Sequence, residues 1–222
     1  MVFEFTGSVC EGYTLNMRLV TQVTDTRGQP MVTDLRSSTW EQGDGRKFRF
    51  NSSQYLNDKL SEATTGDAAR HTNGDKVSVK VNRPKKTELE LPADVLFPTQ
   101  HSKELLRAAL DGRTILQAHV YDGSEKGAKS YETTAFIGKT YPRGANKSFK
   151  PAKNAEQLDE FLSWPIEIGY FENSSGEGIP TYQISFRLFS NGVSRKLLID
   201  YGDFSIRGSL KSIEFLEMSK CK

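Results

Sequence analysis

The sequence predicts an all-β protein, and three observations lead there. Apolar and polar residues alternate with period two over most of the 222 residues, turn signals recur at short intervals, and a single long segment carries helical spacing with a start and a stop signal. All-β sandwiches and barrels often reach about 200–250 residues as one unit, so the length fits a single domain over residues 1–222. Hydrophobic residues make up 36% of the chain and charged residues 26%, enough for a core with an ordinary surface. A net charge of +2 and a pI near 8.4 do not match a dedicated nucleic-acid binder, which shows a domain pI above about 9 and clustered basic residues. No apolar run reaches the roughly 18 residues that a membrane-spanning helix needs.

The strands justify themselves in order. Val2–Thr6 reads as extended from the first residues. A strand there needs a hydrogen-bonding neighbour from elsewhere, which leads to the expectation that an export signal and a first strand are missing; a mis-assigned start codon and a shortened chain account for this equally well. Leu15, Met17, Leu19 and Val23 alternate with Thr14, Asn16, Arg18 and Gln22, and Thr24-Asp25-Thr26-Arg27-Gly28 has turn chemistry. Val32–Glu41 continues extended, Gly43-Asp44-Gly45 is a tight connection, and Phe48-Arg49-Phe50 alternates again. Gln54–Ser61 is read as one strand. Ala68–His71 and Lys76–Val81 flank Asn73-Gly74-Asp75, whose Asn-Gly pair is the strongest short hairpin signal. Lys86–Leu91, Thr114–Tyr121, Ser130–Lys139, Pro165–Phe171, Thr181–Ser190, Val193–Tyr201 and Phe204–Glu217 complete about a dozen strands, with Asn191-Gly192 and Tyr201-Gly202-Asp203 as turns.

The helix is expected at about 99–111. Thr99 or Ser102 supplies a cap, Leu105, Leu106, Ala109 and Leu110 form its apolar stripe, and Gly112 follows its last turn. A shorter helical turn is expected at Ala155–Leu162. The basic, turn-rich stretch Lys139–Asn154 reads as a surface loop.

Few constellations point to chemistry. His71, His101 and His119 fall in a turn, at a helix start and in a strand, with no H-E-x-x-H spacing, and no C-x-x-C is present. There is no G-x-S-x-G elbow, no P-loop and no dinucleotide fingerprint; Gly176-Glu177-Gly178 is a turn. Asp34, Glu41, Asp44, Asp94, Asp122, Asp200 and Asp203 read mainly as turn caps, although a glycosidase pair, whose carboxyl groups lie about 5 to 10 Å apart, could be among them. The basic stretches Lys76–Lys86 and Lys139–Lys153 read either as attraction to an anionic membrane surface or as solvated faces that keep sheet edges from pairing. The thirteen Phe, eight Tyr and two Trp lie mostly in strands, core by default, though a curved sheet lined with them can also hold an acyl chain. The two cysteines, Cys10 and Cys221, read either as free buried thiols of a reducing compartment or as a bond closing nearly the whole chain.

Several segments carry a more specific signal. These are Phe5-Thr6-Gly7-Ser8-Val9-Cys10-Glu11-Gly12-Tyr13, Val32–Thr39 with Gly43-Asp44-Gly45, Leu91-Pro92-Ala93-Asp94-Val95-Leu96-Phe97-Pro98-Thr99-Gln100-His101, Val120-Tyr121-Asp122-Gly123-Ser124 and Asp200-Tyr201-Gly202-Asp203-Phe204-Ser205. Together they resemble the EipB-like family of alphaproteobacterial cell-envelope integrity proteins, long described as a domain of unknown function, from Val2 to Cys221. The resemblance implies a β-spiral, one continuous antiparallel sheet in two curved arches with the helix near mid-chain, similar to periplasmic lipoprotein carriers. It implies a periplasmic location, support of envelope integrity and stress resistance, no established enzymatic activity and no cofactor. A disulfide between Cys10 and Cys221 follows from the same resemblance. The partner it suggests is a lipid, a lipoprotein or a periplasmic protein, with a purely scaffolding role and a hydrolase of envelope polymers as the other readings.

Overall fold

The computed structural model describes all residues except 25–27, 73, 146–148, 150, 173–177, 218–220 and 222. Among the described residues the chain forms two antiparallel sheets. The first contains β1 (Val2–Ser8), β2 (Gly12–Thr24), β3 (Pro30–Glu41), β4 (Lys47–Leu56), β5 (Lys59–Arg70), β6 (Lys76–Arg83) and β7 (Thr87–Pro92), paired in sequence order. The second contains β8 (Ile115–Val120), β9 (Tyr131–Ile137), β10 (Ser163–Glu172), β11 (Tyr182–Phe189), β12 (Ser194–Asp200) and β13 (Ser205–Gly208), also in sequence order. Neither ladder closes on itself. The expected single continuous sheet is interrupted between β7 and β8. There the chain enters α1 (Pro98–Leu110), whose backbone groups bond within the helix and leave no ladder to continue.

The chain divides into two compact units, Met1–Thr99 with Tyr121–Lys129 and Leu216–Lys222, and Gln100–Val120 with Ser130–Phe215. In the first, β1 finds its partner in β2, from Val2↔Arg18 to Ser8↔Gly12. The neighbour that the sequence seemed to lack is thus supplied by the next strand. Gln54–Ser61 is not one strand but a hairpin, with Asn57 and Asp58 at φ 47° and 65°. Two successive positive φ values make the tight turn that matches strand twist, and Asn and Asp tolerate them better than other side chains.

The core of the first unit is aromatic. Phe48 and Phe50 of β4 stack 5.7 Å apart against Val77, Val79 and Val81 of β6 and Leu91 of β7. Two chain segments cover them. One brings Val95 and Phe97, with Phe97 stacked 5.1 Å from Phe48. The other brings Tyr121, edge-on to both rings, with its OH donating to Gly127 O at 2.9 Å. Arg70 fastens the first of these segments by donating to the carbonyls of Ala93 and Val95. Gly123 is required beside it: its φ is +73°, and a Cβ there would lie 2.4 Å from the Phe50 ring. Cys10 and Cys221 are joined by a disulfide, with Cα atoms 5.7 Å apart.

In the second unit α1 packs on the sheet. Leu105, Ala108 and Ala109 meet Ala135 and Ile137 of β9, Trp164, Ile166 and Ile168 of β10, and Leu188 of β11. The stripe differs from the expected one by a step: Leu110 is 56% exposed, while Ala108 and His101 are buried. His101, Leu105, Ala108 and Ala109 are the set that spacing of three and four brings onto one face. The helix begins at Pro98, so Thr99 and Ser102 lie inside it, and Thr99 N–H donates instead to the buried Glu41 carboxylate at 2.7 Å. Its end matches the expectation at Gly112 (φ +74°), where Gly112 N–H bonds Ala109 O and Arg113 N–H bonds Ala108 O. A 3-10 turn fills Ala155–Glu160, and Leu158 packs there with Phe189. Beyond β13 the chain makes one isolated bridge, Lys153↔Ser212, so Phe204–Glu217 is a short strand followed by irregular chain.

Candidate functional site: the open halves of the inner faces

Each sheet has an inner face, the one that carries its buried core, and only part of that face is covered. In the first sheet the register Phe5↔Leu15↔Thr39↔Phe50 puts these side chains in one row across the strands. Parity then places Phe3, Phe5, Tyr13, Leu15, Met17, Leu19 and Leu35 on the same face as Phe48 and Phe50. The aromatic cover lies over β4–β7. Over β1–β3 the face is open: Phe3 is 56% exposed and Phe5 46%, Leu15, Met17, Leu19 and Leu35 are half-buried, and Phe5 stacks on Tyr13 at 5.6 Å. Arg18, Val20, Asp34 and Arg36 point from the opposite, solvated face.

The second sheet repeats the arrangement. Trp164↔Leu188, Ile166↔Phe186, Ile168↔Ile184 and Tyr170↔Tyr182 share the face that α1 covers. Past β11 the same face continues through Ile184↔Ile199 and Ile199↔Ile206, where Ile184 and Ile199 are half-buried and Ile206 is exposed. A row of rings runs along it: Tyr131 to Tyr170 (6.0 Å), Tyr170 to Tyr182 (4.5 Å, stacked), Tyr182 to Tyr201 (5.9 Å) and Tyr201 to Phe204 (4.8 Å, stacked). The row passes from buried Tyr131 to Phe204, which is 59% exposed. Not every aromatic read as core is buried, therefore: Phe136 within β9 and Phe204 and Phe215 outside the strands are exposed, while Phe48, Phe50, Trp164 and Phe189 are buried.

The other residues singled out from the sequence are placed as follows. Asp44, Asp122 and Asp200 accept turn N–H groups from Arg46 (3.0 Å), Ser124 (2.9 Å) and Gly202 (2.9 Å). Asp34 instead lies within a strand. Hydrogen bonds from Arg18 and then Arg36 hold its pKa down at about 2. Glu41 caps the helix. Three of the seven acids, Asp44, Asp122 and Asp200, are thus the turn caps that the sequence suggested. Lys76 and Lys80 meet Glu90 and Glu88 across β6–β7, at 2.6 and 3.9 Å, so part of the first basic stretch is paired with acids on the neighbouring strand. Lys147 and Lys150 of the second basic stretch, residues 25–27 of the first turn, Asn73 of the Asn-Gly turn and Gly176 and Glu177 lie outside the described residues. His119 faces Glu132 at 3.6 Å, and His101 is buried in the helix interface, where loss of water lowers its pKa to about 4. No group of three or more His, Cys, Asp or Glu able to hold a metal occurs among the described residues.

Sequence reading missed one cluster. His71 touches both Asp75 and Ser78, which the β5–β6 hairpin folds together. The available signal was the register of that hairpin and not any fixed motif.

Comparison with known proteins gives three findings. A family model described as EipB-like matches residues 1–217. The chain is 37% identical over 227 residues to the cell envelope integrity protein EipB of Brucella abortus (strain 2308), an alignment that covers 100% of this chain and 77% of that protein. The crystal structure of a beta-barrel-like protein of domain of unknown function DUF1849 from Brucella abortus matches with a TM-score of 0.87 at 34% identity, covering 97% of this chain and 86% of that one.

Proposed function

Because this chain belongs to the EipB-like family, we propose that it is a periplasmic protein that supports the integrity of the cell envelope, and that it does so by holding the acyl part of a lipid or lipoprotein on its open inner faces. The envelope role rests on the relative's printed name, cell envelope integrity protein. The periplasm is supported by the Cys10–Cys221 disulfide, since such bonds persist in oxidising compartments.

The observation that carries the binding reading is the continuous apolar face left uncovered beside each core. Burying an apolar side chain such as Leu or Phe stabilises by about 1.5–3 kcal/mol, and the residues of β1–β3 forgo much of that in the isolated chain. Contiguous apolar surface of this kind marks an interaction site. An acyl chain suits it because the recognition is non-directional: the β1–β2 part of the face offers CH groups and ring faces from Phe3 to Leu19, and polar groups of β3 and β4, Ser37, Thr39 and Ser52, lie beside it.

The test is titration of the full-length oxidised chain with a fluorescent fatty acid. Saturable binding is expected. Met17→Asp on the first face and Ile184→Asp on the second should each weaken binding at the altered face at least tenfold, or about 1.4 kcal/mol. Val20→Asp, on the solvated side of β2, should leave it unchanged. Absence of binding, or equal weakening by all three variants, would move the reading to a scaffold acting through protein contacts.

A further inference from the structure

On the outer face of the first sheet, at the hairpin between β5 and β6, three side chains form a connected series that takes no part in acyl binding on the inner faces. His71 Nε2 lies 2.6 Å from Ser78 Oγ, and His71 Nδ1 lies 3.3 Å from Asp75 Oδ1. The hairpin backbone fixes the spacing: His71 N–H donates to Lys76 O, and Gly74 N–H donates to His71 O, both at 2.9 Å. Ser78 sits between Val77 and Val79, which are fully buried, so its own side chain points to the solvated face, where it is half-buried. His71 is 34% exposed, open enough for a small reagent to reach.

The two contacts select one tautomer. A carboxylate beside Nδ1 favours a proton there, because a bare Nδ1 lone pair would face a second acceptor. Nε2 is then the free base, and the Ser78 hydroxyl donates to it. That is the order in which a serine nucleophile, a histidine base and an orienting carboxylate act, and such sets are recognised by geometry and not by sequence position. Glu90, opposite Ser78 across β6–β7, is held by Lys76 Nζ at 2.6 Å and so does not compete for the imidazole.

We propose that Ser78, His71 and Asp75 form a nucleophilic triad in which Ser78 accepts the acyl group of a carboxylic ester. Ser78 Oγ forms a bond to the carbonyl carbon while its proton passes to His71 Nε2, and Asp75 stabilises the imidazolium. The C–O bond to the alcohol then breaks, and that alcohol leaves with the proton from His71. The acyl-serine is released when water repeats the sequence. Backbone N–H groups around Ser78 are committed to ladders with β5 and β7, so no preformed oxyanion cradle serves the carbonyl. Losing one such donor costs about 10²–10³ in rate. Ser78 is accordingly a slow acyl acceptor and not a fast hydrolase. The inference is independent of acyl binding on the inner faces, since Ser78 lies on the other side of the sheet.

The experiment treats the full-length oxidised chain with a fluorophosphonate. The P–F bond breaks, a P–O bond forms to Ser78, the Ser78 proton passes to His71 and fluoride leaves. Intact mass should show one adduct per chain, mapped by fragmentation to Ser78. The adduct should be absent from Ser78→Ala, at least tenfold slower in His71→Asn and several-fold slower in Asp75→Asn, with melting temperatures unchanged in all three. An unlabelled Ser78, or labelling at an unaltered rate in His71→Asn, would overturn the proposal.

Discussion

The first sheet is covered by aromatic side chains that return from distant stretches of the chain, whereas the second is covered by one helix. Val95, Phe97 and Tyr121 reach the Phe48–Phe50 stack from segments that are far from β4 in sequence and have no regular structure of their own. Leu105, Ala108 and Ala109 reach Trp164 and Ile168 as consecutive turns of a single element. A helix brings its own hydrogen bonds and needs only one apolar stripe. Irregular segments must be tied down individually, and the first unit does this with the Arg70 contacts, the Tyr121 hydroxyl and the Cys10–Cys221 bond. Sheets of one kind can thus be closed by local or by long-range means, and the long-range cover is the more vulnerable to single losses.

The largest expected effect tests that difference directly. Phe48 is fully buried and touches three other rings, so Phe48→Ala should cost about 3–5 kcal/mol by denaturant unfolding. Leu105→Ala, under the helix, should cost less, toward the lower end of the roughly 2–5 kcal/mol range, because it removes a smaller side chain than a phenyl ring stacked among three others. Equal costs would remove the distinction between the two covers. Next in size is the covalent tie. Cys10→Ser should lower stability by about 2–5 kcal/mol, and identical melting temperatures with and without reductant would contradict the role given to the bond.

A pH effect sharpens the comparison on the helical side. Burial holds His101 neutral with a pKa lowered from 6.5 to about 4. As pH falls from 6.5 to 4 the unfolded chain takes up a proton that the folded chain refuses, so stability falls with pH in that window, by about 3 kcal/mol at its lower end, and no further below it. His101→Gln should flatten the dependence measured by urea unfolding at pH 7, 5 and 4. The same slope in that variant would assign it elsewhere.

The strands and the helix were legible because period-two alternation and helix end signals are local. Gly112 marked the stop of α1, and the Asn191-Gly192 turn marked a hairpin. What was not legible depended on contacts across the chain. The Asn57-Asp58 turn lay hidden because Tyr55, Leu56 and Leu60 continue an extended pattern on both sides. The helix start moved to Pro98 because its capping carboxylate, Glu41, comes from β3. Phe204 and Phe215 read as core by composition, yet only the extent of the cover decides which aromatics are buried. The disulfide pairing came from family resemblance and not from the spacing of two cysteines. The open faces were legible as alternation, but their openness was not, since no local pattern states where a cover ends.

Native mass spectrometry of the full-length protein, purified from a periplasm without detergent stripping, tests the central claim most directly. A retained adduct in the mass range of a fatty acid or phospholipid is predicted, lost when Met17→Asp and Ile184→Asp are combined but kept by Val20→Asp. A bare chain, lighter by the two hydrogens of the disulfide, in wild type as in the variants, would contradict it.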